Sequence, residues 1–183
     1  MPPREPTTAE EASETALLVP VPAAERVVGR WRDRLDPSCR LGMPAHITLL
    51  YPFVPPSRVD QTLVDELVGL LADAHRFEFE LSSVRWFGED VVWAEPKPPE
   101  PFLGLTDLVL ARWPSYPPYQ GAHSEVVPHL TIAQDCPPED MEEAAAAVSG
   151  ELPIRSRAEE VWLMAGSRNP HSWEIRARFP LGA

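Results

Sequence analysis

Lysine is almost missing from this sequence: Lys97 stands alone, and every other basic residue is arginine. Positive charge is scarce altogether. Sixteen Lys and Arg face 28 Asp and Glu over 183 residues, a formal net charge of −12. That excludes a broad basic surface that coats nucleic acid by neutralising many phosphates, though not a small phosphate pocket. Cysteine is nearly as rare, with only Cys39 and Cys136. They form neither a CxxC nor a zinc spacing and are too few for a disulfide scaffold, so reduced thiols are expected. No apolar stretch approaches the roughly 18 residues a membrane helix needs. Met1 to Glu14 is polar and acidic, without the basic start and apolar run of a signal peptide, which makes the cytoplasm the default compartment. No short-period repeat or flexible interdomain linker is legible.

What is present supports a folded domain. Apolar residues make up 44% of the chain, with six Trp and six Phe, which outweighs the disorder that 23 prolines would otherwise suggest. The length suits one domain or two closely packed lobes. Residues 1–13 read as a flexible tail, and Thr15 to Val21 as a buried strand. A helix is expected from about Pro22, with Val27, Trp31 and Leu35 on one face and a stop at Asp36-Pro37. His46 to Tyr51 reads as a strand between Pro44 and Pro52. Ser57 with Asp60 resembles a capping box opening a helix that buries Leu63, Leu67, Leu70 and Leu71. Phe77, Phe79 and Leu81 alternate with polar residues as in a half-buried strand, and Val91 starts a return strand. A helix through Phe102, Leu105 and Val109 leads to an aromatic, proline-rich loop from Trp113 to Gln120. Pro128 to Ala133 is a third compact strand, followed by an Ala-rich helix with acidic first turns that ends at Gly150. Residues 158–164 and 172–179 read as a terminal hairpin. The pattern is α+β with antiparallel pairing.

Two of these strands share a four-residue pattern, His46-Ile47-Thr48-Leu49 and His129-Leu130-Thr131-Ile132, one in each half of the chain. Alternation along a strand puts His46 with Thr48, and His129 with Thr131, on one face, while Ile47, Leu49, Leu130 and Ile132 anchor the other. Two such strands side by side would present two imidazoles and two hydroxyls. That set suits cleavage of a phosphodiester without a metal. A neutral imidazole takes a proton from the nucleophile, a protonated one gives a proton to the leaving oxygen, and the hydroxyls donate to the phosphate. A lone His-x-Thr is more often a structural histidine; the pairing is what argues for chemistry.

The paired motifs resemble the two H-x-T/S-h signatures of the 2H phosphoesterase superfamily, which includes bacterial 2′-5′ RNA ligase (LigT-like) proteins and cyclic phosphodiesterases. The resemblance spans roughly residues 14–180. It implies two pseudo-symmetric lobes of antiparallel sheet with flanking helices around a central groove, here a single bilobal domain over 14–183. It implies action on 2′,3′-cyclic phosphates or 2′-5′ linkages with no obligatory metal or cofactor. His46 and His129 would be the acid–base pair, and Thr48 and Thr131 the phosphate-binding hydroxyls. The RNA-ligase branch often carries a basic residue just after its second motif. Here Ala133-Gln134-Asp135 follows, and with the acidic composition this favours a small nucleotide or short RNA end over long duplex nucleic acid; a monomer is expected.

Tyr51, Phe53, Tyr116 and Tyr119 are candidate groove-lining residues, with ordinary packing as the competing reading. Arg168 and His171 in the last turn, and His75 at a helix end, read as surface residues. Trp86 reads as core, at a strand end with Arg85 and Phe87 that could border the groove. His123 with Asp135 and Cys136 matches no established metal spacing. Two readings compete with catalysis: a module that binds a nucleotide or phosphorylated ligand without turning it over, and an adaptor whose two motifs are coincidental and far apart.

Overall fold

A computed structural model describes residues 12–122 and 125–183, and within them the apolar runs become the inner strands. The order is β1 (Glu14–Pro20), α1 (Glu25–Leu35), α2 (Pro37–Arg40), β2 (His46–Leu50), α3 (Gln61–Ala72), β3 (Phe77–Phe87) and β4 (Val91–Lys97). Then follow α4 (Glu100–Arg112), β5 (Leu130–Gln134), α5 (Pro138–Ser149), β6 (Ile154–Ala158), β7 (Glu160–Gly166) and β8 (Glu174–Pro180). The strands form two four-stranded antiparallel sheets, β2-β1-β7-β8 and β5-β4-β3-β6. The architecture is the α+β arrangement of two sheets with flanking helices expected from the motifs.

Both motif strands are edge strands, and β2 lies against β5 where the sheets meet. The helices cross over. Helix α1 joins β1 to β2 in the first sheet yet packs on β5 of the second, where the Cys136 thiol meets the Leu35 carbonyl. Helix α4 joins β4 to β5 in the second sheet yet packs on β2 of the first, and Thr106 on it donates to the Leu49 carbonyl at 3.1 Å. Each motif strand is therefore backed by a helix from the other half. One apolar core runs through both, taking Leu17, Ile47 and Leu163 from the first sheet and Leu81, Val92 and Ile132 from the second. A small second cluster of Ala16, Leu18, Met43, Met164 and Trp173 fills the opposite face of β1 and β7.

Several expectations are corrected in detail. Ser57 does not cap the third helix: it sits in a single 3-10 turn (Pro56–Arg58), and Asp60 is the cap, accepting from the Leu63 amide. Trp86 is not core but 39% exposed, at the far end of β3 near the turn to β4, although its partner across the ladder, Val92, is buried. Strand β6 is an addition to the expected elements, although Ile154 and Ala158 are buried and Arg155 and Arg157 exposed, the period-2 pattern of a strand. Along β8 the inward row of Ala177 and Phe179 is not continued at Ile175, which is 36% exposed where the β7–β8 register shifts between Leu163 and Met164. Residues 1–11 of the expected tail, and His123, lie outside the described residues.

Candidate functional site

The candidate site is built from the pleat of the two edge strands. Along β2, His46 and Thr48 are half-buried while Ile47 and Leu49 are buried; in and just before β5, His129 and Thr131 are half-buried while Leu130 and Ile132 are buried. Both imidazoles are held in one way. The Nδ1–H of His46 donates to the Pro44 carbonyl at 2.6 Å, and that of His129 to the Val127 carbonyl at 2.7 Å. In each case the acceptor lies two residues upstream. This fixes the tautomer and leaves Nε2 as the proton-exchanging nitrogen. The two motifs adjoin because β2 and β5 are in contact. The adaptor reading, which needs the motifs far apart, finds no support in this placement.

Electrostatics separate the two. Burial, and then the guanidinium of Arg32, hold the His46 imidazolium down to about 4, partly opposed by its hydrogen bond to Pro44 and by Asp36. Burial also lowers His129 from its ordinary value, with no charged side chain among the causes.

The strands behind the threonines differ as well. Thr48 faces Leu18 across the ladder, and Leu18 faces Trp162. Thr131 faces Trp93, and Trp93 faces Arg85. Trp93 stacks on Phe87, ring centroids 4.5 Å apart, and both meet the His129 ring edge-on, at 5.9 and 5.0 Å. His129 is thus wedged by two aromatic rings, which restricts its rotation. The Trp93 indole nitrogen is buried without a hydrogen-bond partner. A pocket of about 580 Å³ opens beside these rings, lined by Phe87, Tyr119, Val127, His129, Thr131 and Gln134 among others. His46 and Thr48 stand outside its wall, on the other side of the β2–β5 junction.

The four aromatic candidates separate. Tyr119 lines the His129 pocket, placed there by left-handed backbone at Tyr119 and Gln120 and by its amide donating to the Tyr51 carbonyl. Phe53 is buried, packed edge-on against Trp113 and Tyr116, and with Tyr116 borders a different cleft. Tyr51 turns toward Trp173, and its hydroxyl donates to Glu14 at 3.0 Å; burial and that carboxylate push the phenol up to about 12. Arg168 is exposed but within electrostatic reach of that phenol. His171 and His75 are exposed, with His75 on the C-terminal carbonyl of Ala183. Among the described residues no group of three His, Cys, Asp or Glu is placed to hold a metal ion, and no helix is long and apolar enough to cross a membrane.

Sequence reasoning misses Trp93 as a ring neighbour of His129, reaches Phe87 only as part of a strand end, and meets Gln134 only as a departure from the family pattern. Their sequence context reads as ordinary strand, and only the pairing across β3, β4 and β5 brings them to His129. Arg32 is equally hidden, a charged residue on the buried face of α1.

The same fold recurs in solved structures. E. coli LigT complexed with 3′-AMP superposes with a TM-score of 0.61 at 19% identity, covering 94% of this chain and all of that one. A Thermus thermophilus protein gives 0.62 at 16% identity, covering 92% and 97%, and a structure described only as a phosphoesterase gives 0.57 at 20%, covering 93% and 99%. The fold is thus that of the LigT-like 2H phosphoesterases. No curated protein matches the sequence. The model of the 2′-5′ RNA ligase superfamily matches residues 19–170, and the chain belongs to that family.

Proposed function

We propose that this protein is a metal-independent phosphoesterase that acts on the 2′,3′-cyclic phosphate or 2′-5′ phosphodiester of a nucleotide or short RNA end. The observation that carries the reading is the pair of imidazoles on adjoining edge strands, each with Nδ1 tied to the carbonyl two residues upstream. A binding module needs no such pair. One Nε2 removes the proton of the attacking water as its oxygen bonds to phosphorus. The other, protonated, gives its proton to the ribose oxygen as the P–O bond breaks. Thr48 and Thr131 donate to the non-bridging oxygens as charge develops there. The wall of Phe87 and Tyr119, with Trp93 stacked behind Phe87, accepts the flat face of a base or ribose. E. coli LigT has been crystallised with 3′-AMP, NADP+, ATP and phosphate. The −12 net charge then limits the substrate to small or terminal nucleotides.

The test is hydrolysis of 2′,3′-cyclic nucleotides in EDTA by the wild type, His46→Ala and His129→Ala. Each substitution is expected to lower kcat/KM by about 10²–10⁴-fold. The wild-type kcat/KM should be bell-shaped in pH with both limbs below about 6.5, since both rings are held below their ordinary value. Activity that survives either substitution, or is lost to the chelator, overturns the proposal. Tight nucleotide binding without turnover across cyclic and 2′-5′ substrates would establish the binding module instead.

A further inference from the structure

The face of the second sheet that carries Thr131 continues away from the motif. Thr131, Trp93 and Arg85 form one row across β5, β4 and β3, while Leu130, Ala94 and Val84, the next row, pack into the core. Two strand spacings put Arg85 about 10 Å from Thr131 along the sheet. Further along the same face come Ser83 and Glu95, opposite each other on β3 and β4, and then Lys97, the only lysine of the chain. These four side chains converge. Glu95 Oε2 accepts from the Ser83 hydroxyl at 2.7 Å and from the Arg85 Nε–H at 3.3 Å, and lies 3.5 Å from the Lys97 ammonium. The Ser83 hydrogen bond, aided by the two cations and opposed by slight burial, holds the Glu95 carboxyl below its usual value. The Arg85 and Lys97 side chains are both 54% exposed. Among the described residues, Nη1 and Nη2 of Arg85 have no hydrogen-bond partner.

As a stabilising device this cluster is weak, since exposed ion pairs contribute little and two cations on one carboxylate oxygen repel each other. A second anion would relieve that repulsion. The acids further along β3 have their own cations opposite: Glu80 faces Arg155 as well as Lys97, and Glu78 faces Arg157. Tied through Nε alone, the Arg85 guanidinium keeps both amino groups for an oxyanion, which it can bind through two parallel hydrogen bonds. In a chain of net charge −12 this surplus of positive charge stands in the row of a motif threonine.

We propose that Arg85, held by Glu95 and assisted by Lys97, binds the 5′-phosphate of the nucleotide whose 2′- or 3′-phosphate lies at the motifs. The preferred substrate is then an RNA end, which carries a phosphate on both sides of its last ribose, and not a free cyclic mononucleotide. This rests on the phosphoesterase reading for the chemistry at the motifs and deepens it by naming the substrate class. A separation of about 10 Å suits two phosphates on either side of one ribose better than one phosphate shared between Thr131 and Arg85. Trp93, 6% exposed, fills the row between them and gives that ribose an apolar floor.

The experiment is calorimetric titration of the full-length protein with adenosine 3′-phosphate and with adenosine 3′,5′-bisphosphate. The bisphosphate is expected to bind about tenfold more tightly, because its second phosphate gains charge-assisted hydrogen bonds. The gain should shrink as salt is added. Arg85→Met should lose most of it, and Lys97→Met in the same chain should remove the rest. Arg85→Lys keeps the charge without the fork and should retain only part. Arg112→Met removes an arginine of similar exposure, paired with Glu66, from helix α4, and should leave the gain intact. Equal affinities in the wild type, binding of neither nucleotide, a gain that survives the double substitution, or an equal loss in Arg112→Met overturns the proposal. Binding is read here without turnover, so a subsite that fails and a hydrolysis assay that fails are separate results.

Discussion

At the scale of single residues, the two histidines show how identical local sequence acquires different chemistry. The ring of His46 is held down to about 4, below the value of about 6.5 it has in an unfolded chain. Between those values the unfolded chain binds the proton and the folded one does not. The stability contributed by the neutral ring is therefore full above about pH 6.5 and is lost as pH falls through about 4. His46→Gln should flatten the fall in urea midpoint across that window relative to the wild type. Parallel midpoint curves for the two proteins would show that His46 is not the group responsible. The motif residues themselves were legible in sequence, since a period of two assigns each to a face. What surrounds them was not: Arg32 precedes His46 by a helix and a turn, and Trp93 reaches His129 across a ladder.

At the scale of elements, compact apolar runs and prolines mark most boundaries correctly, because strands and helix ends are set by nearby residues. The aromatic loop before β5 and the bulges were harder, since they depend on what the partner strand does. Gly166 at the end of β7 makes the point. A side chain there would enter the Trp173 indole, which lies directly against it, whereas Gly69 in α3 has open space around it. Gly166→Ala should cost about 1–3 kcal/mol by overpacking. Gly69→Ala should stabilise by about 1 kcal/mol through helix propensity. Chemical denaturation of both variants measures the contrast; equal effects would mean that the Trp173 contact is unimportant. Nothing in the sequence around Gly166 announces this difference.

At the scale of the whole molecule, the crossing of α1 and α4 makes each half depend on the other, since each motif strand is covered by a helix that belongs, by connection, to the opposite sheet. With one apolar core through both sheets, unfolding should be a single cooperative event, with tryptophan fluorescence and far-ultraviolet circular dichroism giving coincident transitions. Two separated transitions would reject this coupling. The same crossing brings two edge strands far apart in sequence into contact. The sequence by itself determined the alternating faces, the helix and strand succession, the paired His-x-Thr strands and the shortage of positive charge, because these are local or compositional properties. Tertiary packing sets the rest: β2 and β5 adjoin, Phe87 and Trp93 flank His129, and a buried Arg32–Asp36 pair holds Ser38 and the Met43 carbonyl. Each is a contact between residues whose spacing carries no periodic signal, closed by burial of a shared core.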